Sequence, residues 1–221
     1  MKKSTLLLNN IRLRPSQIHK FRGFIGNLFK NYDLIHNHNL KTGKPIYRYP
    51  LIQFKLIENT PAIIAITERA VKLFSEIFMT LDKIVIDGHA IPVFEKDLTI
   101  EDVQFGFSDE TYMYQFISPW IGLNQKNHLV YEKMGEAGDK SRLLEKALIG
   151  NILSMSKYLD VWLEPCQKIE ATLQTRKKTV NLKSKYMIGF QGIFKTNFII
   201  PDYFGVGKSV SRGFGVVEKV L

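Results

Sequence analysis

Residues 62–86 read AIIAI TERAVKLFSEIFMT LDKIVI, and their reading decides the fold. Ala62 to Ile66 is a short apolar run with β-branched side chains, which suits a strand. Thr67 stands where a helix cap belongs. Ala70, Val71, Phe74, Ile77, Phe78 and Leu81 then recur at spacings of three and four, giving a helix one apolar face. Ile84-Val85-Ile86 closes the stretch as a strand. Upstream, the same succession is already present. Leu6 to Arg14 reads as a strand, with Leu6, Leu8, Ile11 and Leu13 in imperfect alternation. Pro15 suits the first turn of a helix, where a missing N–H costs nothing. Ile18, Phe21, Ile25, Leu28 and Phe29 form that helix's apolar face, and His19, Lys20, Arg22 and Lys30 lie largely off it. Asn31 to Lys44 is polar and turn-rich, ending in Thr42-Gly43-Lys44-Pro45. Ile46 to Ile57 is the next strand, joined to Ala62–Ile66 by Glu58-Asn59-Thr60-Pro61. Strand, helix, strand, strand, helix, strand is the split βαβ of a ferredoxin-like (RRM-like) domain.

The remainder predicts a second copy of this α+β unit in degenerate form. Ile91 to Leu123 is rich in β-forming residues, with Phe105, Phe107, Tyr112, Tyr114 and Phe116 at even spacings. Lys140 to Leu159 is a helix burying Leu143, Leu144, Ala147, Leu148, Ile152 and Met155. Cys166 to Ile200 reads as a long hairpin system with Arg176-Lys177-Lys178 near a turn, and Gly215 to Val220 as a last short strand. The expected division is 1–92, holding a histidine-bearing loop, and 93–221, holding a glycine-rich loop. The boundary is soft, because no low-complexity linker marks it.

With 221 residues, 45% of them hydrophobic, the chain can bury a core in one large domain or two small ones. No apolar run approaches the ~20 residues needed to cross a bilayer, so no membrane partner is expected. Ser4 to Leu8 after Met1-Lys2-Lys3 is too short for a signal peptide, and the single cysteine, Cys166, has no disulfide partner in the chain. Cytoplasm is the default. The net charge of +10 is unevenly spread: +9 over residues 1–60, −6 over 61–165 and +7 over 166–221. Two basic ends around an acidic middle suggest one positive surface and a polyanion partner.

Between two strands lies Phe204-Gly205-Val206-Gly207-Lys208-Ser209-Val210-Ser211-Arg212-Gly213-Phe214-Gly215, with four glycines and two cations in twelve residues. Glycine lets backbone N–H groups approach a phosphate closely, and Lys208 and Arg212 add charge-assisted contacts. Gly205 to Ser209 mimics part of a P-loop. A P-loop, however, needs glycine at the position of Asp202 and a helix after the serine, where Gly213, Gly215 and β-forming Val216-Val217 stand instead. The nucleotide triphosphatase reading fails on both counts. The bland alternative is a purely structural turn.

The Gly-x-Gly-Lys followed by Ser-Arg-Gly-Phe-Gly and a final strand resembles the glycine-rich loop of the CRISPR-associated repeat-RNA endoribonucleases, members of the RAMP superfamily. The spacing departs from that pattern, since Lys208 to Ser211 reads Lys-Ser-Val-Ser. The resemblance implies that Gly205, Gly207, Lys208, Arg212 and Gly213 contact RNA, and that the RNA is CRISPR repeat RNA. Other CRISPR-associated proteins are further partners it allows, and a homodimer stays open.

The second informative stretch is Leu34-Ile35-His36-Asn37-His38-Asn39. Two histidines among asparagines suit a polar loop better than a core. A metal site lacks ligands there, since Asp33 is the sole carboxylate nearby. Cleavage by a ribose 2′-hydroxyl needs no metal or other cofactor. It needs a base, an acid and positive charge near the phosphorus, and histidine, with an ordinary pKa of ~6.5, does the proton work near neutrality. Lys30, Lys41 and Lys44 are close in sequence, and Tyr47 and Tyr49 open the next strand as candidate proton donors or stacking rings. The resemblance implies a catalytic histidine in this region, hence His38 first and His36 second. It also implies products ending in a 2′,3′-cyclic phosphate and a 5′-hydroxyl. The helix tyrosine that some members of the family use has no counterpart in the first helix, which offers only Phe21, Phe24 and Phe29, with Tyr32 just beyond. His19 on the first helix either touches RNA or is simply solvated, His89 reads as a turn residue and His128 as a surface helix residue. The competing readings are a non-catalytic RNA-binding RAMP subunit of a CRISPR ribonucleoprotein, and a phosphate-ligand enzyme using the glycine loop.

Overall fold

The computed structural model describes residues 1–29, 48–182 and 185–220, without the side chains of 73, 75 and 76. It resolves into two compact units. The first comprises Met1–Val103 with Val210–Gly213, the second Gln104–Ser209 with Phe214–Leu221.

In the first unit, β1 (Lys2–Leu8), β2 (Ile52–Ile57), β3 (Thr60–Ile66) and β6 (Lys96–Asp102) make one antiparallel sheet in the order β2-β3-β1-β6. Helices α1 (Ile18–Leu28) and α2 (Glu68–Thr80) share its core. Phe21 of α1 meets Phe54 of β2 edge to face, with ring centroids 5.6 Å apart. The apolar spacing identifies the helix faces well: Ile18, Phe21 and Ile25 are buried on α1, and Ala70, Phe74 and Ile77 on α2, although Leu28 is half exposed. Pro15 opens a 3₁₀ turn, Pro15–Gln17, that feeds α1, and the Gln17 side chain accepts from the Arg14 N–H. Thr67 occupies the α2 N-cap position but caps only through its carbonyl, which accepts from the Ala70 and Val71 N–H groups.

The sheet's fourth strand differs from the sequence expectation. Ile84–Ile86 does not join the sheet: β4 (Lys83–Ile86) pairs only with β5 (His89–Pro92), as a separate hairpin. Asp87 and Gly88 both have positive φ, the two-residue turn whose twist favours a tight hairpin, so the chain turns back on itself there. His89, expected in the turn, begins β5. The fourth place goes to β6, which runs the length of β1 from Lys2↔Asp102 to Leu8↔Lys96, beyond the expected boundary at 92/93. β1 likewise starts at Lys2 rather than Leu6. Lys2 and Lys3 form ion pairs with Asp102 and Glu101 across the strands, a pairing that an apolar-periodicity reading passes over.

Every residue of β3 is buried, so this central strand is covered on both faces, as its unbroken apolar run suits. On β2, Ile52 and Phe54 join the helical core, and Gln53 and Lys55 alternate to the opposite face. Lys55 is fully buried, and its Nζ has no hydrogen-bond partner among the described residues. Burial, reinforced by the Lys3 charge, holds its amine well below the usual lysine value of 10.5. Between that lowered pKa and 10.5 the unfolded chain binds a proton that the folded chain does not. Stability therefore rises with pH through the window and is lost as pH falls. Lys55→Met is expected to raise stability at pH 7 by about 1–4 kcal/mol and to abolish the alkaline gain. Urea titrations at neutral and alkaline pH measure both, and a variant less stable than its parent at pH 7 would contradict the assignment.

In the second unit, β7 (Gly106–Phe116), β8 (Ala171–Leu182), β9 (Lys185–Ile199) and β10 (Val217–Lys219) form an antiparallel sheet in the order β10-β7-β9-β8. Counted along the chain, both sheets place their strands second-third-first-fourth, the second sheet being read from its β8 edge with β7 as its first strand only in reverse order. Helices α3 (Gln125–Lys133) and α4 (Ala137–Tyr158) follow β7, and α4 buries Leu144, Ala147, Leu148, Ile152 and Met155 as its periodicity predicts. Between β9 and β10 the described residues form only a 3₁₀ turn, Val210–Arg212, where the first unit has α2. Arg176, Lys177 and Lys178 lie within β8, opposite Gln191, Phe190 and Gly189, and not near the turn. No helix among the described residues is long and apolar enough to cross a membrane.

Candidate nucleic-acid interface

The glycine loop is held by its own backbone. Val206 N–H donates to the Gly215 carbonyl at 2.8 Å, Lys208 N–H to Ile121 at 2.9 Å, and Gly215 N–H to Pro119 at 2.9 Å. Gly207, at φ +91°, approaches the buried Trp120 so closely that a Cβ would lie 2.7 Å from Nε1. That Nε1 donates to Asn151 Oδ1 at 3.0 Å, and the indole stacks on Phe116 with centroids 5.4 Å apart. Gly215, at φ +62°, leaves no room for a side chain, because a Cβ would sit 2.0 Å from the Val206 carbonyl oxygen. The glycines thus answer first to chain packing. The N–H groups of Val206, Lys208, Gly213 and Gly215 bond within the protein, so these four are already satisfied by the chain itself.

Lys208 is exposed, whereas Arg212 is half-buried in the 3₁₀ turn and burial lowers its pKa. The turn counts with the first unit, where it packs against β2 and α1. Arg22 of α1, set aside in the sequence as lying off the apolar face, is also half-buried. Its pKa is lowered by burial first and by the Arg212 charge second.

Several of the first unit's other cations already have partners within the protein. Lys2, Lys3 and Lys20 pair with Asp102, Glu101 and Asp87. Arg12 donates to the Asn9 and Ile11 carbonyls. In the second unit Lys177 pairs with Glu132 at 3.0 Å. The charge asymmetry seen in sequence is therefore smaller at the surface than its totals suggest.

His36, His38, Tyr47, Lys30 and Lys44 lie outside the described residues. Of their neighbours, Tyr49 is buried, and Phe29 closes α1 with its N–H on the Ile25 carbonyl. His19 is exposed on α1, and His128 lies on α3. Among the described residues no group of three or more His, Cys, Asp or Glu side chains is arranged to hold a metal ion.

The chain matches the Cas6b N-terminal domain over residues 1–104 and the Cas6b C-terminal domain over residues 106–220. Among solved structures it is similar to a Cas6b crystal structure, with 34% identity, 99% of each chain covered and a TM-score of 0.93. It is also similar to the crystal structure of a CRISPR RNA processing endoribonuclease, Cas6b, with 32% identity, 100% of each chain covered and a TM-score of 0.80. A curated relative, an uncharacterised protein of Methanocaldococcus jannaschii, is 43% identical over 146 residues, covering 66% of this chain and 97% of that one. The two α+β units of the present chain, with their antiparallel sheets, are consistent with the tandem ferredoxin-like fold of the Cas6b structures. The chain belongs to the Cas6b family of CRISPR RNA-processing endoribonucleases, within the RAMP superfamily.

Proposed function

We propose that this protein cuts the repeat of a CRISPR precursor transcript without a metal ion. The observation that carries the reading is the match to both Cas6b domains, in succession, along nearly the whole chain. In the proposed step the ribose 2′-oxygen attacks the adjacent phosphorus while a histidine takes its proton. The bond to the 5′-oxygen breaks, and a second group protonates the departing oxygen. One product ends in a 2′,3′-cyclic phosphate and the other begins with a 5′-hydroxyl. His38 and His36 are the proton-transfer pair, with Tyr47 as a further donor. Lys30 and Lys44 supply positive charge toward the phosphate.

RNA is held in part by the glycine loop. Gly205, Gly207 and Gly213 shape it, and Lys208 and Arg212 contact phosphates. Their bonding is consistent with this division of labour, since the glycines set the path of the chain and the exposed Lys208 is free of ion pairs among the described residues. The second domain is a degenerate copy of the first, its second helix replaced by the segment carrying the loop. Other CRISPR-associated proteins are the expected company of the processed RNA.

The test is incubation of the purified protein with repeat RNA in EDTA. Cleavage that persists, with a cyclic phosphate on the upstream fragment by mass spectrometry, is the expected result. Tight binding without products would favour a non-catalytic RNA-binding subunit.

A further inference from the structure

A Cβ on Gly213, whose φ is +81°, would lie 3.3 Å from Ile18 Cγ1 and 3.4 Å from the Phe54 carbonyl oxygen. The segment Val210–Gly213 therefore lies directly on α1 and β2. Ile18 and Arg22 are four residues apart on α1 and share a face, so a segment that covers Ile18 brings Arg212 beside Arg22. The lowering of the Arg22 pKa by the Arg212 charge agrees with this placement. Two like charges thus meet where both are partly withdrawn from water. No carboxylate pairs with either guanidinium among the described residues, and the buried Arg22 Nε has no hydrogen-bond partner there. Nearby cations follow a different rule: Lys20, on the same helix, is matched by Asp87.

Such an arrangement costs free energy in the empty protein through like-charge repulsion and an unanswered N–H. An anion with several acceptor oxygens, taken up by the terminal nitrogens of the two forks, relieves the repulsion. A guanidinium is a planar fork suited to two oxygens of one group, and two forks carry enough charge to hold a tetrahedral anion in partly dry surroundings. We propose that Arg22 and Arg212 together form a phosphate-binding subsite on the first unit that takes one phosphodiester of the RNA. The occupant rests on the RNA-processing reading, whereas the subsite rests on the packing of Val210–Gly213 over α1.

The experiment uses the full chain with two probes: inorganic sulfate, exchanged for chloride at constant ionic strength, and an uncleavable repeat RNA with a 2′-deoxy substitution at the cut. Sulfate should raise the melting temperature of the parent but not of Arg22→Met or Arg212→Gln. Each variant should bind the RNA roughly 10- to 100-fold more weakly. Each should also reduce the slope of log K against log salt by about 1. The double variant should be little worse than either single one, because both serve one phosphate. Arg22→Lys should recover part of the affinity, through charge without the fork. Without ligand, Arg22→Met should melt at or above the parent temperature.

RNA binding by Arg22→Met within twofold of the parent, or no weaker than that of the exposed-lysine control Lys146→Met, would overturn the proposal. So would a large fall in its ligand-free melting temperature, which would make Arg22 a packing residue. A sulfate response that needs both arginines, in a protein that binds no repeat RNA, would keep the anion subsite and remove the phosphodiester.

Discussion

Replacing His36 and His38 together by alanine is expected to abolish cleavage of repeat RNA, with affinity for uncut RNA held within a few-fold. General acid–base catalysis by a positioned side chain contributes ~100- to 10,000-fold, so losing both proton-transfer groups should take the rate below detection. Each single variant should retain a residue of activity, because water replaces one partner poorly but not both. The parent's rate should follow a bell in pH, since one imidazole must be neutral and the other protonated at the start of the step. Either single variant should lose one limb of the bell. Single-turnover cleavage at saturating protein, measured across pH beside an equilibrium binding titration, separates chemistry from affinity. A double variant that cuts at the parent's rate would remove the proposed chemistry and leave the family assignment intact.

The largest expected effect on stability comes from Gly215→Ala. At φ +62° an added methyl group would sit 2.0 Å from the Val206 carbonyl oxygen, and that atom belongs to backbone. Relaxation is blocked on both sides. The Gly215 carbonyl accepts from Val206 N–H at 2.8 Å, and its N–H donates to Pro119 at 2.9 Å. Left-handed backbone costs a residue with a Cβ about 1–2 kcal/mol, and forced overpacking about 1–3 kcal/mol more. The sum, about 2–5 kcal/mol, is a large share of the stability of an ordinary domain. Gly23→Ala offers the contrast. Gly23 lies within α1, and among the described residues nothing stands inside 4 Å of the place its methyl group would take, so alanine there should stabilise by about 0.5–1 kcal/mol. Urea denaturation of the pair gives the comparison, and equal effects would show that the close approach at Gly215 is not what holds the loop.

Much of the architecture was legible because burial follows periodicity. The α1 and α2 faces, the long α4 and the β8–β9 hairpin all carry spacings that one element type alone satisfies. The errors arose where another signal governs pairing. A turn at Asp87-Gly88 was legible, but not that it folds Ile84–Ile86 back on His89–Pro92 as a local hairpin and leaves the sheet's fourth place to Lys96–Asp102. Lys2 and Lys3 fall outside the apolar spacing from which the first strand was read, and their carboxylate partners lie about a hundred residues away in sequence, where no local pattern reaches. The site was legible in outline only. Glycine and cation content marked residues 204–215, but not that Gly207 rests on Trp120 or that Gly215 rests on Val206. Arg22 carried no mark, because its significance comes from a neighbour 190 residues further along.

Val210–Gly213 belongs to the first unit, although the stretch 104–209 intervenes. During synthesis the ribosome must therefore deliver nearly all of the second unit before Ile18 and Phe54 receive their last covering residues. At ~5–20 residues per second, that interval is about 5–20 s. Throughout it, the nascent first unit exposes the apolar patch that the Val210–Gly213 turn will later cover. A separately expressed fragment of residues 1–103 would be left permanently in that unfinished state, prone to self-association. The last steps of folding and the completion of the Arg22–Arg212 pair thus coincide, so a chain still being made cannot yet present both arginines to RNA.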